Sequence, residues 1–71
     1  MFVMTRLRGD RTDAMRGALR AGPHGWDAVY TLNGELYQSQ WFAAEAQALA
    51  DLATHHDLLT AAGWQPVLFQ R

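Results

Sequence analysis

The fold is decided by residues 26–64, which read WDAVYTLNGELYQSQWFAAEAQALADLATHHDLLTAAGW. Strand-favouring residues flank Asn33 and Gly34, a pair that favours a two-residue β-hairpin turn because both residue types tolerate a positive φ. The run that follows, residues 43–62, contains neither Gly nor Pro and consists largely of Ala and Leu. Its summed propensity predicts one long helix that ends at Gly63.

The hairpin turn also predicts which side chains share a face. A two-residue turn pairs Leu32 with Glu35 and, further from the turn, Tyr30 with Tyr37. In this register one face of the ribbon carries most of its large side chains, namely Trp26, Tyr30, Leu32, Tyr37 and Trp41. We interpret this aromatic face as the core face, although a bulge or a slipped register would invert the assignment.

Short strands are expected at both ends of the sequence. Residues 2–8 alternate as a strand does, and the side that carries Val3 and Leu7 is expected to be the better buried one. Residues 65–70 are interpreted as a final strand. Its Pro66 favours the edge of a sheet, because proline cannot donate a hydrogen bond to a neighbouring strand.

Between the first strand and the hairpin, the sequence indicates a helix. Asp10 or Thr12 can cap its first turn, and apolar residues spaced three and four apart form a narrow stripe. Gly22 followed by Pro23 would end it. Because a helix of about ten residues is marginal without tertiary support, residues 1–22 could instead form a mobile basic arm.

These elements predict one α+β domain over residues 1–71. Their order, β-α-β-β-α-β, is the ferredoxin-like or split βαβ pattern, with an antiparallel sheet and helix 43–62 packed on one face. Without the first helix, the sequence predicts a reduced version that consists of the hairpin and the long helix.

Composition restricts the class of protein. With 71 residues and 49% hydrophobic content, there is room for one domain with one core. The absence of cysteine excludes disulfides and thiolate zinc sites. No stretch approaches the roughly 20 apolar residues of a membrane span. All six cations are Arg, a usage that suggests a GC-rich genome. We therefore expect a cytoplasmic bacterial or phage protein without a membrane partner.

The sequence offers little for catalysis or metal binding. His55 and His56 are adjacent, so on a helix they point about 100° apart and cannot easily chelate one ion together. Ser39 is the only Ser and lies mid-strand, and neither Lys nor Cys is present to act as another nucleophile. The glycines form no phosphate-binding loop. We expect a non-enzymatic protein with no metal and no cofactor.

Residues 33–41, NGELYQSQW, together with Gly63 and Trp64, resemble the signature of the MbtH-like proteins. Those are small acidic bacterial proteins that bind adenylation domains of peptide synthetases, and the resemblance would imply a partner of that kind. It covers nine residues and one dipeptide. The chain departs from the pattern because no Pro follows Trp41 and a long helix occupies the place of a short loop. We attribute the resemblance to hairpin chemistry and base no assignment on it.

The aromatic face is the first candidate for function. If the N-terminal residues do not cover it, it forms a patch that would bind another protein or a second copy of the chain. The candidate contact residues are then Trp26, Tyr30, Tyr37 and Trp41. We predict a regulatory module that acts by protein–protein interaction and self-associates as a homodimer.

The N-terminal arginines are the second candidate. Residues 1–22 carry a formal charge of +3, whereas the remainder carries −4. The cations of this segment are Arg6, Arg8, Arg11, Arg16 and Arg20. They could contact phosphates while exposed aromatic rings stack on bases. Because the net charge is only −1 and the remainder is acidic, nucleic-acid binding is kept as the alternative.

Overall fold

The computed structural model describes residues 1–67 of the chain. They form five strands and one helix, namely β1 (Phe2–Arg8), β2 (Arg11–Gly22), β3 (Gly25–Leu32), β4 (Glu35–Phe42), α1 (Glu45–Ala61) and β5 (Gln65–Pro66). The strands make one antiparallel sheet in the order β4-β3-β2-β1-β5. The prediction of a small α+β domain with an antiparallel sheet and a long helix on one face is confirmed.

The prediction of a first helix is wrong, because residues Arg11–Gly22 form strand β2. This strand pairs with β1 on one side and with β3 on the other, so both of its backbone edges are hydrogen-bonded. Its burial follows a period of two: Asp13, Met15 and Gly17 are buried, whereas Arg16 is exposed. Pairing on both sides overrides the local helical stripe. The order is β-β-β-β-α-β, not the ferredoxin-like one, and residues 1–22, the alternative basic arm, lie almost entirely in β1 and β2.

The hairpin of β3 and β4 is confirmed, but its register is not the predicted one. Asn33 and Gly34 have φ values of 52° and 86°, as the two-residue turn requires. Leu32 pairs with Glu35 as predicted, but a bulge follows, and Tyr30 pairs with Gln38 instead of Tyr37. The extra residue inverts every later position of β4. The side chains of Gln38 and Gln40 therefore share the face of Tyr30.

Helix α1 lies within the predicted range and ends as predicted. Gly63 has a φ of 98°, and the Trp64 N–H donates to the Leu59 carbonyl over 3.0 Å, which satisfies an acceptor in the last turn. A period of 3.6 residues predicts that Ala46, Leu49, Leu52, Ala53, His56 and Leu59 share the packing face. This prediction is only partly right, because Leu52 is buried but Leu49 is 49% exposed. Leucines occur around much of the helix circumference, so the pattern alone does not single out one face. Across residues 1–67, no helix is long and apolar enough to cross a membrane.

The core lies between α1 and one face of the sheet. Its buried residues are Met4, Met15, Ala28, Tyr30, Leu52 and Trp64. On β1 the Met4 side is therefore the buried one, and the prediction for the opposite side is wrong, since Leu7 is 77% exposed. Strand β5 forms one edge of the sheet and contains Pro66, as predicted. Residues 68–70 of that predicted strand lie outside the described residues.

Candidate functional site

The sheet face opposite α1 is open. Alternation along the strands sends core residues towards the helix and their neighbours away from it. Apart from Arg16, the outward residues at the centre of the sheet are small, so the face has a shallow cavity of about 540 Å³, lined by Val3, Ala14, Arg16, Ala18, Val29, Thr31 and Gly34. Larger side chains stand around this floor: Leu7 is 77% exposed and Leu36 is 69% exposed. Among the described residues, α1 is the only element outside the sheet, and it packs on the other face.

Trp41 belongs to this open face because of the bulge in β4. It pairs with Asp27, whose side chain points away from the helix, and its ring lies over Gly25. A Cβ atom at Gly25 would lie 2.6 Å from the Trp41 ring and would clash with the Phe42 carbonyl oxygen. Only glycine fits such a close approach. The indole keeps 54% of its surface exposed and is thus available to a partner.

The four predicted contact residues do not lie together. Tyr30 is 1% exposed and belongs to the core, and Trp26 is half-buried on the same side of the sheet. Tyr37 is 61% exposed and borders a cavity against α1, whereas Trp41 lies on the open face. The sequence could not show this separation, because it depends on one bulged residue.

Three of the N-terminal arginines have partners within the domain. The Arg8 Nε lies 3.0 Å from Asp13, the Arg20 guanidinium lies 3.3 Å from Asp27, and Arg6 lies 4.8 Å above the Trp64 ring. Arg16 lines the open face and contacts the Met1 sulfur at 3.8 Å. Arg11 is exposed and pairs with Arg8 across the β1–β2 hairpin. The arginines are thus distributed over several surfaces.

A polar clamp fixes the hairpin turn to β2. The Asn33 amide nitrogen donates to Asp13 over 3.1 Å, its amide oxygen accepts from the Ala14 N–H over 2.8 Å, and its backbone N–H donates to the Ala14 carbonyl over 2.7 Å. This hydrogen bond from Asn33 lowers the pKa of Asp13, assisted by Arg8 and Arg6 and opposed by burial. Asn33 therefore supplies both the positive φ and the side-chain bonds, and only the first was visible in the sequence.

A second polar cluster lies between the sheet and α1. The Tyr30 hydroxyl donates to the Asp51 carboxylate over 2.6 Å, and the His55 ring stacks on the Tyr30 ring with centroids 4.1 Å apart. The His55 Nδ1 faces two acceptors, the Asp51 carbonyl at 2.9 Å and the Asp51 carboxylate at 3.4 Å. This nitrogen therefore carries the proton in the neutral ring. Burial, followed by the Asp51 interaction, raises the pKa of Tyr30.

The chemistry open to this cluster is limited. His55 borders a cavity of about 280 Å³ together with Met15, Tyr30, Tyr37, Gln38, Leu58 and Leu59. An imidazole oriented by a carboxylate can accept a proton, but Ser39 lies on the opposite face of the sheet from this cavity. In the described part of the chain, no group of three or more His, Asp or Glu residues is placed to hold a metal ion. The spacing of Asp51 and His55, four residues apart on a helix, was the available sequence signal.

A scan against protein-family models, a search of curated proteins and a search of solved structures each found no match for this chain. The short resemblance at residues 33–41 corresponds in the structure to the hairpin turn and β4.

Proposed function

We propose that this chain is a non-enzymatic regulatory module that binds protein partners through its open sheet face and self-associates. The observation that carries the proposal is the uncovered sheet face, whose floor combines Val and Ala side chains with Thr31 and Arg16. Four strands about 4.8 Å apart and about seven residues long span roughly 19 by 23 Å. Exposed apolar side chains on one uncovered face, here Leu7, Leu36 and Trp41, are typical of interaction sites.

The shape of the face indicates the chemistry of the partner. The floor is built from small side chains such as Ala14 and Ala18, so apolar side chains of a partner can be seated in it. Trp41 stands exposed over Gly25 on the same face and offers a large anchor. Arg16, which lies between Val3 and Thr31 in the middle of the face, adds a cation. A partner with apolar side chains near a carboxylate fits this arrangement best.

The test compares the protein with two charge variants. Val29→Glu places a carboxylate on the open face, and Ala53→Glu places one on the exposed side of α1 as the matched control. We expect affinity capture with quantitative mass spectrometry to recover the same partner with the wild type and the control, and at least tenfold less with Val29→Glu. Equal recovery with all three proteins contradicts the proposal. Circular dichroism melts establish that both variants fold.

The self-association part has its own measurement. Light scattering coupled to size exclusion should give a mass that rises from about 8 kDa towards about 16 kDa as the concentration increases. A mass that stays at 8.0 kDa over a hundredfold range of concentration removes this part of the proposal.

Nucleic-acid binding is the second candidate, because Arg16 and the exposed Trp41 ring share the open face. A ring with cations beside it is the platform used by single-strand binders. Labelled single-stranded DNA or RNA should then bind at low salt, with an affinity that falls steeply as salt rises and with Arg16→Ala plus Arg20→Ala. No salt-sensitive binding at low ionic strength removes this candidate. As part of the main proposal, that of a protein-binding module, we also propose that the protein is bacterial or phage in origin and cytoplasmic.

A further inference from the structure

The two edges of the sheet differ in how they are protected. In the part of the chain that the structure describes, the β5 edge is two residues long and contains Pro66. The β4 edge is eight residues long, and all its residues except Phe42 are exposed. Natural proteins usually protect a sheet edge with Lys, Pro, a β-bulge, a short strand or a covering segment. β4 carries neither Lys nor Pro, and its only charged residue is Glu35 at its start. Its bulge at Tyr37 leaves a regular stretch of five residues, Gln38–Phe42.

The backbone direction along β4 follows from one hydrogen bond. The Asn33 N–H donates to the Ala14 carbonyl of β2, so odd-numbered residues of β3 direct their N–H and C=O groups towards β2. Even-numbered residues, such as Tyr30 and Ala28, therefore point towards β4. Their partners Gln38 and Gln40 point back to β3. The N–H and C=O groups of Ser39 and Trp41 consequently point out of the sheet, without a strand beside them in the described residues.

We propose that β4 pairs antiparallel with β4 of a second copy of this chain, about a two-fold axis at Gln40. In this register Ser39 lies opposite the partner's Trp41, and the two symmetric pairs form four backbone hydrogen bonds. Gln40 is the centre of the regular stretch, so the bulge at Tyr37 stays outside the paired segment. This inference rests on the self-association proposed above, and it identifies the surface and the register.

A second copy fits this edge better than a strand of another protein. Residues 38–42 carry no charge, so pairing the segment with itself brings no like charges together. The two Gln40 side chains face each other across the axis, and each amide can donate to and accept from the other. Pairing at a two-fold axis is self-complementary and covers the long edge of both copies. Within the described residues, the opposite edge carries Pro66, which disfavours further growth, so we expect a closed dimer.

The absence of native cysteine allows a register-specific test. Directly opposite residues that are not hydrogen-bonded to each other have Cα atoms about 4.5 Å apart. A disulfide spans Cα separations of about 4.4–6.8 Å, so Gln40→Cys should cross-link to itself under mild oxidation. Ser39→Cys is the matched control. Its two copies would lie two residues out of step, roughly 8 Å or more apart, which is beyond the reach of a disulfide. We expect cross-linking of Gln40→Cys to be at least tenfold faster.

A proline variant tests the same pairing without cysteine. The Ser39 N–H points out of the sheet, so Ser39→Pro breaks no hydrogen bond within one copy but removes two of the four between copies. At a concentration where the wild type is monomeric, the two melting temperatures should be close, while the dimer dissociation constant from sedimentation velocity should rise at least tenfold. An unchanged dissociation constant overturns the proposal.

The outcomes separate this inference from the broader proposal. A dimeric wild type with slow cross-linking of Gln40→Cys means that the chain self-associates through another surface, and this inference fails alone. Faster cross-linking of Ser39→Cys than of Gln40→Cys refutes the register. A wild type that is monomeric at all concentrations refutes both the β4 pairing and the proposed self-association.

Discussion

Replacing Tyr30 with Phe should destabilise the fold by removing one hydroxyl group. The Tyr30 ring is 1% exposed, and it contacts Phe2 with centroids 6.2 Å apart and His55 with centroids 4.1 Å apart. Phenylalanine keeps these ring contacts. The variant loses the hydrogen bond to Asp51, which is 2.6 Å long and joins the sheet to α1.

The magnitude follows from the environment of that bond. A hydrogen bond to a charged group contributes about 1.5–3 kcal/mol to the free energy of unfolding. The Asp51 side chain is 19% exposed, so water can solvate part of the orphaned carboxylate. We therefore expect the lower part of the range, about 1.5–2 kcal/mol. For a domain of this size, each kcal/mol corresponds to about 4–8 °C, which predicts a fall in Tm of about 6–16 °C.

The pH dependence gives the prediction a second readout. In the folded protein the pKa of Tyr30 is raised, first by burial and then by Asp51. A tyrosine in the unfolded chain ionises at about pH 10. The stability from the neutral hydroxyl is fully present below that pH and is lost as the pH rises towards the folded pKa. The difference between wild type and Tyr30→Phe should therefore shrink above about pH 10.

Urea unfolding followed by circular dichroism measures both readouts. Tyr37→Phe is the matched control, because Tyr37 is 61% exposed, and its change should stay within about 0.5 kcal/mol. A Tyr30→Phe protein as stable as this control would refute the reasoning, since the bond to Asp51 would then contribute nothing measurable. A difference between wild type and variant that grows above pH 10 would refute the sign assigned to the pKa.

Three further predictions concern the hairpin turn, the loss of stability at acid pH and the close contact at Gly25. Asn33→Gly should lower the free energy of unfolding in urea by about 1 kcal/mol, because glycine keeps the positive φ but loses the side-chain hydrogen bonds. Asn33→Ala should lower it further, because alanine also strains the turn. Equal stability of the two variants would show that the φ preference is irrelevant. Asn33 and then Arg8 lower the pKa of Asp13 in the folded protein. The stability that its carboxylate contributes is therefore present above about pH 3.8 and is lost as the pH falls through the folded pKa of Asp13. The free energy of unfolding of Asp13→Asn should thus fall less steeply with decreasing pH than that of the wild type. An equally steep fall in both proteins would contradict this. Gly25→Ala should lower the free energy of unfolding by about 1–3 kcal/mol, because its Cβ would clash with the Phe42 carbonyl oxygen. Gly22→Ala should cost less, because its Cβ meets only ordinary contacts. The reverse order of stability in thermal melts would contradict this packing.

The hairpin and the long helix could be predicted because their signals are local. Asn33 and Gly34 specify the turn, and an uninterrupted run of good helix formers specifies α1. Gly63 likewise specifies the end of the helix through its own φ. Each of these features depends on a few neighbouring residues and not on the rest of the chain.

Strand β2 could not be predicted because its signal is not local. Residues 11–22 have a helix-compatible stripe, and their structure is decided by partners on both sides, β1 and β3. The same reason applies to the polar clusters. Asp13 and Asn33 are 20 residues apart, and Tyr30 and Asp51 are 21 apart, so the sequence alone does not indicate that they meet. Tertiary pairing routinely overrides weak local propensity in this way.

The bulge at Tyr37 links the fold to the proposed interactions. Without it, Trp41 would lie on the helix side of the sheet, as the sequence predicted, and Ser39 and Trp41 would direct their backbone groups towards β3. With it, the Trp41 ring joins the open face, and the backbone of Ser39 and Trp41 is presented at the free edge. Pairing of two β4 strands would therefore place two Trp41 rings side by side and join two open faces into one surface. One extra residue in a single strand thus determines both the face proposed to bind a partner and the edge proposed to bind a second copy.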